Sequence, residues 1–208
     1  MHRETMEYDV VIVGGGPSGL AAAIKFAQLN QENNTNYSIC LLEKGSEIGA
    51  HILSGNVFQP NALDELIPNW KELNAPLNVP VKKDKIYYFL KNIGIPVPPF
   101  LMPEMNNHGN YIISLGNLCR WLGEQAENLG VEIFPGFPAS KLLIENDEVV
   151  GVQTGDMGIS GSGEMKPGNE PGININANLT ILGEGCRGHL GKPVINKFNL
   201  SDGKDPQH

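Results

Sequence analysis

Tyr8-Asp9-Val10-Val11-Ile12-Val13-Gly14-Gly15-Gly16-Pro17-Ser18-Gly19 is the stretch on which the fold turns. Val10 to Val13 form a short β-branched apolar run, the signature of a strand buried on both faces. The run stops at three glycines, and Leu20-Ala21-Ala22-Ala23-Ile24-Lys25-Phe26-Ala27 then reads as a helix. Gly14, Gly16 and Gly19 thereby fill the G-x-G-x-x-G pattern at a strand-to-helix turn. Each has a task there: a tight turn, close backbone approach to a pyrophosphate, and close helix-on-strand packing. The free N–H groups and positive dipole end of a helix opening near Pro17 attract phosphate.

A second strand is predicted over residues 38–42, ending in Glu43, 24 residues after Gly19. An acid at the tip of that strand can accept hydrogen bonds from an adenosine ribose. The spacing slightly exceeds the usual value of about 20, and the polar run 30–36 accounts for the excess as a longer loop. Glycines alone mark any tight turn. Strand, glycines, helix, second strand and terminal acid together point to dinucleotide binding.

A chain of 208 residues buries a real core, in one domain or one and a half. Its 15 basic and 23 acidic residues, a net charge of −8, argue against a nucleic-acid binder. Cys40, Cys119 and Cys186 are widely separated, with no C-x-x-C pair, so neither a disulfide framework nor a zinc site is expected. Mostly buried, reduced thiols are the expectation. No apolar run is long enough for a membrane-spanning helix, and the polar head 1–7 does not read as a leader. A reducing compartment such as a bacterial cytoplasm is expected, unless a leader has been removed.

Residues 44–55, with three glycines, read as a loop at the carboxyl edge of the sheet, where ligands of open α/β sheets bind. Gly49 lets backbone approach a flat ring, and His51 and Ser54 can supply hydrogen bonds; a surface loop with an incidental histidine is the alternative. Residues 60–73 suggest one or two short helices broken at Pro68. Residues 85–91 read as a strand leading into the proline-rich apolar piece 93–103, which excludes a regular helix or a central strand. Between Phe89 and Met102 the chain is apolar and irregular, so either other parts of the protein cover it or it is an exposed patch. The residues by themselves favour the first.

Ser114 is placed to cap a helix over 115–129 whose buried stripe is Leu115, Leu118, Leu122 and Ala126, with Trp121 expected in the core. A strand over 131–134 completes a second strand–helix–strand passage. Residues 141–144 and 149–154 flank a polar turn as a hairpin, and 155–172 read as a flexible glycine-rich loop. A last strand over 173–182 runs into Gly183-Glu184-Gly185 and a helix over 186–198. Glu184 between its glycines is placed to bind the hydroxyls of a ribityl chain, with an ordinary turn as the alternative.

Taken together, MEYDVVIVGGGPSGLAAAI, LEKGSEIGAHILSG, NNHGNYIISLGNLCRWLGEQAE, GVEIFPGF, TGDMGI and ILGEGCRGHL resemble the electron transfer flavoprotein–ubiquinone oxidoreductase family. The resemblance implies an α/β, Rossmann-like FAD-binding domain of the glutathione reductase-like kind, interrupted by a β-rich, irregular insertion and truncated at its carboxyl end. The implied division is 1–75 and 113–208 for the FAD-binding domain, with 76–112 as the apolar insertion. FAD would be held by Gly14, Gly16, Pro17, Ser18 and Gly19 at the pyrophosphate and by Glu43 at the ribose, with Lys44 beside it. Gly49, His51 and Ser54 would approach the flavin, and Glu184 with Gly185 the ribityl–phosphate end.

By the same resemblance, electrons pass from electron transfer flavoprotein through FAD and a [4Fe–4S] cluster to ubiquinone. The family is peripheral on the cytoplasmic membrane of bacteria or the matrix side of the mitochondrial inner membrane. Residues 89–102 resemble its membrane-facing segment, which reverses the preference stated above. The cluster's cysteines are not in this sequence, so an amino-terminal fragment or truncated product is expected. The implied activity is that of an electron-transferring-flavoprotein dehydrogenase. Two rivals share parts of the pattern: an FAD-dependent reductase or hydroxylase of the geranylgeranyl reductase type, and a non-catalytic FAD- or NAD-binding module.

Overall fold

The computed structural model describes residues 3–53, 55–159 and 165–203. In chain order its strands and helices are β1 (Thr5–Val13), α1 (Pro17–Asn33), β2 (Ile39–Glu43), β3 (Asn56–Phe58), α2 (Asn61–Leu66), β4 (Val79–Pro80), β5 (Ile86–Leu90) and β6 (Ile93–Val97). There follow β7 (Tyr111–Ile113), α3 (Leu115–Asn128), β8 (Glu132–Pro135), β9 (Ala139–Glu145), β10 (Glu148–Thr154), β11 (Met157–Ile159), β12 (Met165–Glu170), β13 (Asn174–Leu182) and α4 (Gly191–Lys197). The chain divides into two compact units, Met1–His51 with Leu122–His208, and Ile52–Trp121.

The first unit is built on a six-stranded sheet in the order β8-β2-β1-β13-β10-β9. β8, β2, β1 and β13 run parallel, and the β9–β10 hairpin joins the far edge antiparallel. Val10, Val11, Ile12 and Val13 are all buried, as a strand flanked by two parallel neighbours requires. α1 turns Gly19, Leu20, Ala23, Ile24 and Ala27 inward; the small residues among them let the helix lie close to the sheet. A second buried group, with Val11, Val13, Leu42, Leu142, Val152, Ile175 and Leu190, forms a continuous hydrophobic core. The tight turn of the β9–β10 hairpin has Asn146 at φ 49° and Asp147 at φ 64°. Two successive left-handed residues are the conformation a two-residue hairpin loop demands.

The second unit holds the three-stranded sheet β3-β7-β4 and the separate ribbon β5–β6. Trp70 and Trp121 are buried there, and each indole finds an acceptor. Trp70 donates to Asp64 at 2.6 Å and Trp121 to the Leu73 carbonyl at 3.0 Å. Trp121 is thus the core residue expected. The Ser114 hydroxyl accepts from Asn117 N–H at 3.4 Å, the expected cap of α3.

β7, α3 and β8 form the strand–helix–strand passage expected, with β7 paired to β3 and β4 and β8 paired to β2. Two expectations are corrected. Residues 155–172 are not all loop: β11 and β12 pair antiparallel, Met157 against Glu170 and Ile159 against Met165, with 160–164 outside the described residues. Asp156 anchors the base of that ribbon by accepting from Gly172 N–H at 2.7 Å and pairing with the Arg3 guanidinium. Arg3 and the Gly172 N–H hold the Asp156 carboxyl down at about 2. Lastly, the helix expected over 186–198 begins only at Gly191. Gly185 at φ 73° and the Gly188 N–H bond to the Gly185 carbonyl spend the intervening residues on turns.

Cys40 and Cys119 are buried and Cys186 is exposed. Burial, with the Glu132 carboxylate nearby, pushes the Cys40 thiol up to about 12, where the reactive thiolate is scarce. A water-soluble thiol reagent should therefore label Cys186 alone in the folded chain, with Cys40 and Cys119 following only on unfolding. Labelling of Cys40 at the rate of Cys186, read by mass spectrometry, would contradict this packing.

Candidate dinucleotide site at the end of the parallel sheet

At the carboxyl end of β1 the chain turns through Gly14 at φ 110°, a conformation that favours glycine. Gly14 N–H donates to Leu42 O at 2.8 Å, and Gly183 N–H to Val13 O at 2.8 Å, so β2 and β13 clamp the turn from both sides. A Cβ on Gly14 would lie 2.5 Å from Gly183 O, and one on Gly19 would lie 1.9 Å from Gly14 O. Gly183 in turn rests on Gly19, with its own Cβ position 3.0 Å from the Gly19 Cα. Three glycine backbones therefore meet where β1, α1 and β13 converge. Gly183 was not singled out from the sequence; its place at the end of an apolar strand is the signal that could have found it.

Gly16 differs from these neighbours. It is the N-cap of α1 at φ −84° and ψ 180°, extended backbone open to any residue, and no atom lies within 4 Å of where its Cβ would stand. Neither conformation nor packing within the chain requires glycine there. Pro17 follows at the first helical positions, where a missing N–H costs nothing, and Ser18 is exposed beside it. No side chain caps the helix. The N–H groups of the first turn thus face the open space that Gly16 borders, the arrangement that receives an anion.

Glu43 ends β2 and turns back toward this opening, 9% exposed. One carboxylate oxygen accepts Gly15 N–H at 2.9 Å and the other Gly45 N–H at 2.6 Å. A carboxylate offers about four lone-pair sites, so capacity remains for two hydroxyls. Gly15 and Gly45 answer to this side chain: Cβ atoms there would stand 2.9 and 3.0 Å from its oxygens. Neither was singled out from the sequence, where nothing separates them from ordinary loop glycines.

Lys44 is exposed directly after Glu43. Gly49 is buried at φ 87°, and His51 is exposed in a turn. Ser54 lies outside the described residues. Glu184 follows Gly183 beside the glycine turn, but its carboxylate is folded onto the start of α4. It accepts the N–H groups of His189 at 3.2 Å and of Leu190 and Gly191 at 3.0 Å, and His189 Nδ1 lies 3.2 Å away. Gly185 next to it is open, with nothing among the described residues within 4 Å of where a Cβ would stand. Among the described residues no group of three or more His, Cys, Asp or Glu could hold a metal ion. Those residues hold no ligand set for an iron–sulfur cluster.

A parallel sheet, a glycine turn opening a helix and an acid at the tip of the next strand define a Rossmann-like dinucleotide-binding domain. Residues 12–71 match the family described as NAD(P)-binding Rossmann-like domain. The fold resembles that of a geranylgeranyl bacteriochlorophyll reductase-like protein from Thermoplasma acidophilum, with a TM-score of 0.65 and 21% identity over 90% of this chain and 42% of that one. Closer in sequence is the electron transfer flavoprotein–ubiquinone oxidoreductase of Pseudomonas aeruginosa, 56% identical over 100% of this chain and 38% of that protein. The mitochondrial enzyme of Arabidopsis thaliana is 50% identical over 99% of this chain and 32% of its own length. The chain belongs to the electron transfer flavoprotein–ubiquinone oxidoreductase family. It spans about a third of the length of these curated relatives.

Proposed function

We propose that this chain forms the FAD-binding part of an enzyme that takes electrons from reduced electron transfer flavoprotein and delivers them to ubiquinone. The observation that carries the cofactor assignment is Gly16, a glycine that nothing inside the chain explains, at the unblocked opening of α1. A diphosphate lying there fits the free N–H groups, and Gly16, Ser18 and the first turn of α1 bind it. Gly14 and Gly19 hold the turn in shape. Glu43 orients the adenosine ribose, with Lys44 beside it, while Gly49, His51 and the backbone of Glu184-Gly185 approach the flavin and its ribityl chain. When bound, the flavin supplies the redox chemistry, and the protein binds, orients and tunes it.

Residues 76–112 are proposed as the apolar insertion facing membrane and quinone. Phe89, Leu90, Ile93, Phe100, Leu101 and Met102 are all exposed there, and large apolar side chains gathered in one exposed segment suit an interaction surface. Among the described residues no helix is long and apolar enough to cross a membrane. Peripheral contact through this insertion fits both facts, on the cytoplasmic face of a bacterial membrane or the matrix face of a mitochondrial one.

The test uses the complete enzyme of which this chain forms part. Purified, it should be yellow and should bleach when reduced electron transfer flavoprotein is added, recovering its colour with a soluble ubiquinone. A well-folded sample lacking the yellow colour overturns the cofactor assignment. A yellow sample that NAD(P)H reduces, and reduced electron transfer flavoprotein does not, overturns the electron donor.

A further inference from the structure

The ribbon β5–β6 is apolar and exposed on both faces. Tyr87 and Phe89 share one face, their ring centroids 6.2 Å apart, and Tyr88 and Leu90 alternate onto the other. Phe89 is 73% exposed, Tyr88 62% and Ile93 66%. Among the described residues the ribbon pairs with no further strand, so its outer edges carry unpaired backbone groups. Those groups exclude it from the hydrocarbon centre and hold it at headgroup depth. At that depth headgroup charge acts directly on neighbouring side chains.

The charge around the ribbon opposes that of the whole chain. Residues 76–103 contain four lysines and one acid, Asp84, within a chain of net −8. Lys82, Lys83 and Lys85 lead into β5, Lys91 stands at the turn with φ 49°, and all four are exposed. The Asp84 carboxylate is occupied by Asn107 N–H at 2.7 Å. Cations therefore bracket both ends of the apolar surface. An acidic protein approaching an acidic bilayer is repelled except where such a cluster faces it.

We propose that the ribbon selects an anionic membrane surface, its lysines meeting acidic headgroups while Phe89, Leu90 and Ile93 enter the interface. This rests on the membrane contact proposed above and adds the class of lipid. Each lysine near such a surface strengthens binding about fivefold, and the attraction decays over about 10 Å at 0.1 M salt.

The test sediments the chain with vesicles of phosphatidylcholine alone, or of phosphatidylcholine with phosphatidylglycerol. Binding to the mixed vesicles should be about a hundredfold tighter. Added salt, or the combined Lys82→Gln, Lys83→Gln and Lys85→Gln substitutions on exposed positions, should remove most of that preference. Equal binding to both vesicles, or an unchanged preference in the triple variant, overturns the selection of anionic lipid and leaves the membrane contact standing. Binding to neither overturns the membrane contact itself. Loss of binding to both vesicles on Phe89→Ser, with circular dichroism unchanged, supports the ribbon as the point of contact.

Discussion

Gly16→Ala should leave the chain at least as stable as the parent and cost it about a hundredfold in affinity for FAD or ADP. The backbone at Gly16 is extended, and the new methyl meets nothing within 4 Å. Alanine there removes freedom from the unfolded chain and adds no native strain, an effect of about 0.4–1 kcal/mol in favour of folding. On the proposed site the methyl takes space a diphosphate needs, so the loss falls on the ligand and not on the fold. Gly19→Ala supplies the contrast. Its methyl would stand 1.9 Å from the Gly14 carbonyl oxygen, in a turn that β2 and β13 hold through Gly14 N–H and Val13 O. Moving that carbonyl means moving the turn, at a cost above about 4 kcal/mol. Denaturant unfolding and a nucleotide titration on both variants separate the two kinds of glycine. Should Gly16→Ala bind as well as the parent, the opening of α1 is not where the diphosphate lies. Should it unfold as Gly19→Ala does, Gly16 serves packing alone.

Both of those roles are legible without coordinates. The G-x-G-x-x-G spacing announces that some glycines pack and one yields to a ligand, because strand, turn and helix are local and their periodicities survive in the sequence. The parallel core was legible for the same reason, since Val10 to Val13 and the end of β13 read as continuous apolar runs. Partners brought in by the fold were not. Gly183 lies far along the chain from Gly14 and Gly19, and nothing in its local sequence says that three backbones meet. The start of α4 was misplaced because Glu184 takes the N–H groups of His189, Leu190 and Gly191. A side chain reaching forward several residues does not disturb helical periodicity. The exposed ribbon was a case of two consistent readings. Apolar, proline-rich chain can be covered or displayed, and composition is the same in both.

Glu43→Gln should show two separable losses. In the parent both carboxylate oxygens are occupied by backbone donors, Gly15 N–H at 2.9 Å and Gly45 N–H at 2.6 Å, in a buried position. Glutamine keeps the shape and offers one oxygen, so its amide nitrogen must face one of those N–H groups. A buried donor left without an acceptor costs about 1–3 kcal/mol, and the chain should lose that much stability to denaturant. The second loss concerns the ribose. A hydroxyl that donates to a carboxylate makes a charge-assisted bond, and its removal from a low-dielectric site weakens adenosine nucleotide binding by about tenfold or more. Both losses should appear in one variant: a lower unfolding midpoint, and a weaker ADP titration measured well below that midpoint. A fall in stability with ADP affinity unchanged would make Glu43 a brace for the glycine turn and nothing else. A fall in affinity with stability unchanged would mean that the two backbone contacts carry no weight, and that the acid at the tip of β2 is kept for the nucleotide alone.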